Sequence, residues 1–215
     1  MVIVIIKIKC FIAEPLQTNV YLVYRDHVGV IIDPGTTQEL LDTIKKLELN
    51  IEAILLTHAH FDHIAGLEDV RQQTLAPVYQ HTSEESWLGD PNLNLSYLSE
   101  ESVNSNLLIC NPAEKFIKNE KELTELQTCN IKVLHTPGHS PGSLSFLIDN
   151  KLFSGDLIFK ESIGRTDLPG GDLPTLQNSI KTKILPLAPQ TTIYPGHGPK
   201  TTLAAEISSN PFFNF

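Results

Sequence analysis

The apolar run at 54–56, Ile-Leu-Leu, passes without a break into THAHFDHIAG at 57–66, which places three histidines and one aspartate within seven positions. A chain with eight histidines in all commits three of them to the end of one buried strand. This limits the fold to one that holds strand ends at a solvent-accessible edge, where backbone geometry is fixed and side chains can meet a ligand. Three later stretches share the character: HTPGHSPGS at 135–143, FSGDLIF at 153–159 and YPGHGP at 194–199. Each sets a His or Asp where an apolar strand emerges into a Gly- or Pro-containing turn.

Periodicity organises the chain around these turns. VIVIIKIKCFI, NVYLVYR and GVIIDPG read as strands, with Lys7 and Lys9 alternating against an inward set of Ile6, Ile8 and Cys10. An amphipathic helix is expected over 37–49, with Leu40, Leu41, Ile44 and Leu47 facing inward. IEAILLTHAH is a buried strand, the pattern turns helical after His63 through residue 73, and APVYQH is a short strand. The polar, Asn- and Ser-rich stretch 82–112 reads as an irregular excursion near the site, a lid or loop. Farther on come strands in AEKFI and CNIKVLH, a hairpin turning at 149–151, and a Gly/Pro-rich loop GRTDLPGGDLPT. A helix over 175–184 capped by Thr175 or its neighbour, a last strand in TTIYPGHG and a helix over 201–208 follow. Both halves run strand-rich, then a histidine turn, then a helix. That order suits a single α/β domain over 1–215, with two mixed sheets face to face and helices outside.

Composition excludes several classes. Forty-one per cent hydrophobic and 19% charged residues are ordinary for a soluble globular protein. A net charge of −9 with no basic stripe argues against nucleic-acid binding. The apolar N-terminus reads as a first strand rather than a signal peptide or membrane span, since it has no leading positive region and is too short. Cys10, Cys110 and Cys129 form no C-x-x-C pair, which points away from disulfides and thiolate metal sites and towards a reducing, cytoplasmic setting.

The clustered residues point to metal. His58 and His60, two apart on an extended segment, project to the same side, and a bend after Phe61 turns Asp62 and His63 towards a neighbouring point. One segment can therefore serve two ions. Imidazole and carboxylate donors suit zinc, iron or manganese, and a site without cysteine has catalytic rather than structural character. His135, His27 and His81 are expected to pack, His135 having the stronger claim to support a ligand from behind.

THAHFDH, PGHSPGS, SGD and PGHGP, in this order, resemble the motif series of the metallo-β-lactamase superfamily over nearly the whole chain. The resemblance implies an αββα four-layer sandwich with a dinuclear site at one edge between the sheets. It assigns His58, His60 and His139 to one divalent ion, Asp62, His63 and His197 to the other, and Asp156 to both. Zinc is the first expectation, with iron or manganese accepted by the same donors. It also implies hydrolysis by a metal-bound hydroxide that Asp62 helps to orient.

The fold does not fix the substrate. IFKESIGRTDLPGGD at 158–172 and the ending GHGPKTTLAAEISSNPFF are similar to a compact glyoxalase II-like subgroup of hydroxyacylglutathione hydrolases without the C-terminal helical domain. This implies a small glutathione-linked thioester, S-lactoylglutathione in type, as substrate, with no nucleic-acid or membrane partner. Arg165 and Lys160 are the candidate substrate contacts, Arg165 facing either a substrate carboxylate or Asp167 or Asp172. The alternatives are a lactonase-like hydrolase, a mono-iron glutathione persulfide dioxygenase, which GRTD also resembles, and a non-catalytic metal-binding module.

Overall fold

A computed structural model describes residues 6–35, 38–99 and 107–213. The first sheet holds β1 (Lys7–Ala13), β2 (Thr18–Arg25), β3 (Val28–Ile32), β4 (Asn50–Leu55), β5 (Val78–His81) and β6 (Lys115–Ile117), in that spatial order. β1 to β3 pair antiparallel and β3 to β6 pair parallel. The second sheet is built from β7 (Lys121–Leu123), β8 (Ile131–His135), β9 (Leu144–Ile148) and β10 (Lys151–Gly155). Beyond the two-stranded hairpin of β11 (Ile158–Phe159) and β12 (Ser162–Ile163), it is completed by β13 (Thr192–Pro195), parallel to β10, and β14 (Thr201–Thr202). The helices are α1 (Gln38–Lys46), α2 (Phe61–Ile64), α3 (Leu67–Thr74), α4 (Leu173–Ser179) and α5 (Leu203–Ser209).

Three apolar layers follow from the period of two along each strand. Tyr21, Val23, Val30, Ile32 and Leu55 meet Val133, Phe146 and Phe153 of the second sheet in a core between the sheets. The opposite parity of the same strands, Val20, Leu22, Ile31 and Ile54, packs on Leu40, Leu41 and Ile44 of α1 and Leu67 and Val70 of α3. On the far side, Leu134, Leu152 and Ile193 pack on Leu176, Ile180 and Leu203. The result is a four-layer αββα stack of two mixed sheets, the architecture that the motif series implied.

Local differences from the sequence reading have identifiable causes. In β1 the inward set shifts: Ile6 and Ile8 face the core between the sheets, Phe11 and Ala13 face the helices, and Cys10 is exposed, because an edge strand is covered differently along its length. The predicted start of the first helix, Thr37, and residues 1–5 and 100–106 lie outside the described residues. The helix expected over 175–184 is α4 followed by a wider π turn over Ile180–Ile184. Its cap is Asp172, not Thr175, and its carboxylate accepts from Thr175 N at 2.9 Å and Oγ1 at 2.6 Å. β7, in the polar stretch NEKEL, carries too little pattern to be foreseen. Within the stretch 82–112 the described residues form the expected irregular path, with short 3₁₀ turns, and Trp87, Leu88 and Cys110 join the core on the helix side of the first sheet. No helix among the described residues is long and apolar enough to cross a membrane.

Phe146 is fully buried between the sheets. Phe146→Ala is expected to lower stability by about 3–5 kcal/mol, read as a lower urea midpoint with an unchanged slope.

Candidate metal centre

The site lies where strands end. Asp33 follows β3, His58 and His60 follow β4, His139 follows β8, Asp156 follows β10 and His197 follows β13. His60 is still extended (φ −70°, ψ 146°), and the turn into α2 begins at Phe61, so Asp62 and His63 leave from a helical turn while the His63 ring stays 4.1 Å from that of His58. The bend expected from spacing is thus a four-residue helix.

Three overlapping groups of donors lie close enough to hold an ion: His58, His60 and His139; His58, His63 and Asp156; and Asp62, His63 and His197. Within each group the donor atoms are within 4.8 Å of one another. Asp156 stands between the first and third groups, with Oδ1 at 3.5 Å from His63 Nε2 and Oδ2 at 3.6 Å from His139 Nε2 and 3.5 Å from His197 Nε2. All seven residues named from the sequence therefore converge at one edge. A Cβ on Gly196 would stand 2.1 Å from Asp156 Oδ1, so the turn approaches this closely only because residue 196 has no side chain.

The chemistry of the donors fits a cation. His139 Nδ1 donates to Arg165 O at 2.8 Å, His197 Nδ1 to Leu16 O at 3.1 Å and His63 Nδ1 to Asp33 Oδ2 at 2.9 Å. Thr57 Oγ1 gives its hydrogen to Asp33 Oδ2 at 2.6 Å and so accepts from His58 Nδ1 at 3.0 Å. Each of these bonds places a ring proton on Nδ1 and turns Nε2 towards the centre, the nitrogen that a bound metal would take in place of a proton. The buried atoms without a hydrogen-bond partner include Nε2 of His58 and His63 and Oδ1 of Asp156, and orphaned lone pairs facing one space call for a cation. His60 is the exception in direction, since its Nδ1 is the nitrogen 3.0 Å from His139 Nε2.

The field divides along the same line. Burial, reinforced by neighbouring histidines, holds His58 well below the usual range and His60 at about 3, so that these two rings stay neutral. At His197 burial opposes protonation, but hydrogen bonds to Asp156 and Asp62 outweigh it and lift the ring to about 10. His63 is likewise raised, against burial, by Asp62, Asp156 and Asp33. Carboxylates that draw protons onto two histidines supply the negative field that a divalent ion would neutralise.

Several supporting residues were not foreseen. Asp33, read only as part of a turn, accepts from Thr57 N at 2.7 Å besides Thr57 Oγ1 and His63. Thr18 Oγ1 donates to Asp62 Oδ2 at 2.5 Å, and Asn19 Nδ2 donates to the carbonyls of Pro195 and Gly198, which fixes the His197 turn. A polar residue ending an apolar strand, as in IIDPG, was the available signal for Asp33. His135 stacks on His81 with ring centroids 4.0 Å apart and bonds Pro141 O through Nε2 at 3.0 Å, while His27 lies in the β2–β3 turn.

A cavity of about 300 Å³ opens over the donors, with Leu16, Phe61, Leu95, Leu98 and Leu168 as its apolar walls. Arg165 lines it too, yet its guanidinium is exposed and forked onto Asp167 with both bonds at 2.7 Å. Lys160 sits at the tip of the β11–β12 hairpin, exposed and outside the cavity lining.

Comparison with known proteins places the chain in a family. Residues 13–197 match the family model of the metallo-β-lactamase superfamily. The chain is 41% identical to the probable metallo-hydrolase YqgX of Bacillus subtilis (strain 168), over 93% of this chain and 94% of that protein. It is 36% identical to the hydroxyacylglutathione hydrolase GloC of Haemophilus influenzae, covering 92% and 93%. Among solved structures, the BLEG-1 B3 metallo-β-lactamase superposes with a TM-score of 0.89 at 46% identity, covering 97% of this chain and 100% of that one. The chain belongs to the metallo-β-lactamase superfamily. Within it, the chain is a metallo-hydrolase, with a His/Asp cluster suited to divalent metal.

Asp33→Asn would present an amide N–H to a ring N–H at His63. Metal affinity is expected to fall about 10–100-fold, measured by competition with a chelator, while far-UV circular dichroism stays native.

Proposed function

We propose that this protein hydrolyses small thioesters of the S-lactoylglutathione type, acting with two divalent ions, zinc first, as a single domain. The observation that carries the reading is the convergence of seven donors whose proton positions are set from behind by Asp33, Thr57 and main-chain carbonyls. His58, His60 and His139 would hold one ion, Asp62, His63 and His197 the other, and Asp156 would touch both. Held there, divalent ions would supply Lewis acidity towards the scissile carbonyl and lower the pKa of water to near neutrality.

The chain's own groups do the remaining work. Asp62, held by the Thr18 hydroxyl, lies at the cavity wall, where it orients the attacking water and accepts its proton. Phe61, Leu95, Leu98 and Leu168 cover the acyl group and keep bulk water away from it. Arg165, rather than Lys160, is the cation at the cavity, and a substrate carboxylate would compete with Asp167 for its fork. Support for the thioester comes from the likeness to GloC over nearly the whole length of both chains.

A second reading is β-lactam amide hydrolysis by the same centre, favoured by the 46% identity to BLEG-1. S-lactoylglutathione, a β-lactam, a lactone and glutathione persulfide, assayed with metal content measured on the same sample, separate the readings. The highest kcat/KM is expected on the thioester with close to two metals per chain. One iron with oxygen uptake on the persulfide would refute hydrolysis. Asp62→Ala is expected to lower kcat at least about 100-fold, and His58→Ala to remove most of the activity, both with native circular dichroism.

A further inference from the structure

Glu84 is a carboxylate with no solvent exposure, at the start of the stretch 82–112, and none of the steps above uses it. Its two oxygens divide between two turns. Oε2 accepts from Ala59 N at 2.8 Å, and Ala59 lies between His58 and His60. Oε1 accepts from Gly142 N at 2.9 Å and from the Ser140 hydroxyl, in the turn that follows His139. One side chain thus ties together the two segments that carry the three-histidine group.

The tie is built to be specific. A Cβ on Gly142 would stand 2.8 Å from Glu84 Cδ, so a glycine is needed for the carboxylate to reach that amide. Glu84 is itself held, because Gln80 Nε2 donates to its main-chain carbonyl at 2.6 Å. A parallel brace runs beside it: His135 stacks on His81, at an interplanar angle of 12°, and its Nε2 bonds Pro141 O at 3.0 Å. A carboxylate left in such a place without donors would be costly, whereas with three donors it fixes the distance between two backbones.

We infer that Glu84 is a positioning residue for the ion held by His58, His60 and His139, acting through the main chain of the two turns and not on the Asp62–His63–His197 group. This rests on the metal-centre reading above. In a glutamine at 84, one of the two oxygens becomes an NH₂ that faces a donor, so one turn is released at nearly unchanged volume.

The test is Co(II) titration of the metal-free full-length chain, followed by its visible absorption, in two backgrounds. His197→Ala keeps the three-histidine group, and His139→Ala keeps the Asp62–His63–His197 group. Glu84→Gln is expected to weaken Co(II) binding about 10–100-fold in the first background and to leave it unchanged in the second. Ser140→Ala, which removes one donor and no charge, should weaken the first several-fold and decides the matter if Glu84→Gln does not fold. Unchanged affinity in the first background, or equal weakening in both with a lowered melting temperature, overturns the assignment. Wild-type protein that takes up no Co(II) overturns the metal-centre reading instead, and the Glu84 assignment with it.

Discussion

The face-to-face packing of the two sheets is the constraint on which the rest of the molecule depends. Tyr21, on the first sheet, sets its ring edge-on to Phe153 at 5.1 Å and donates its hydroxyl to Pro195 O at 2.7 Å, so one side chain spans the core and grips the turn before His197. Asp62, His63, His58 and His60 come from the first sheet's edge, and His139, Asp156 and His197 from the second's. A donor set divided between two sheets has a defined shape only while their separation and register are fixed. Close packing of apolar side chains supplies that rigidity.

The centre is also costly. Histidines and carboxylates gathered out of water lose solvation, and that loss is offset only by partners or a cation. Partners come from behind, through Asp33, Thr57, Thr18 and the carbonyls of Leu16 and Arg165, while the inward lone pairs remain for metal. Ligand-bearing turns therefore need support from distant parts of the chain, and Glu84 and Asp33 give it by accepting from main-chain amides as well as side chains.

Much of this was legible in advance. The strands in NVYLVYR and GVIIDPG and the Asp149 hairpin were read as the structure has them, and the helix expected over 37–49 is seen as α1 with its end three residues earlier, at Lys46, because local period and turn chemistry decide local structure. The clustered His58, His60, Asp62 and His63 were visible because one strand end carries them all. The partners that make them a site were not. Asp33 lies 24 residues from Thr57 and Glu84 56 residues from Ser140, and no local pattern pairs them. The burial of Trp87, Leu88 and Glu84, within a stretch read as an irregular excursion near the site, was hidden for the same reason.

By itself, the sequence determined most of the strands and helices and which residues stand at strand ends, because these follow from side-chain period and from what glycine and proline permit. Only the tertiary structure decided which nitrogen of each histidine faces the centre, that Asp156 stands between two donor groups, that Arg165 is engaged by Asp167, and that Glu84 joins two turns. Those are properties of distances across the sandwich, set when two sheets pack and the strand ends of both meet at one edge.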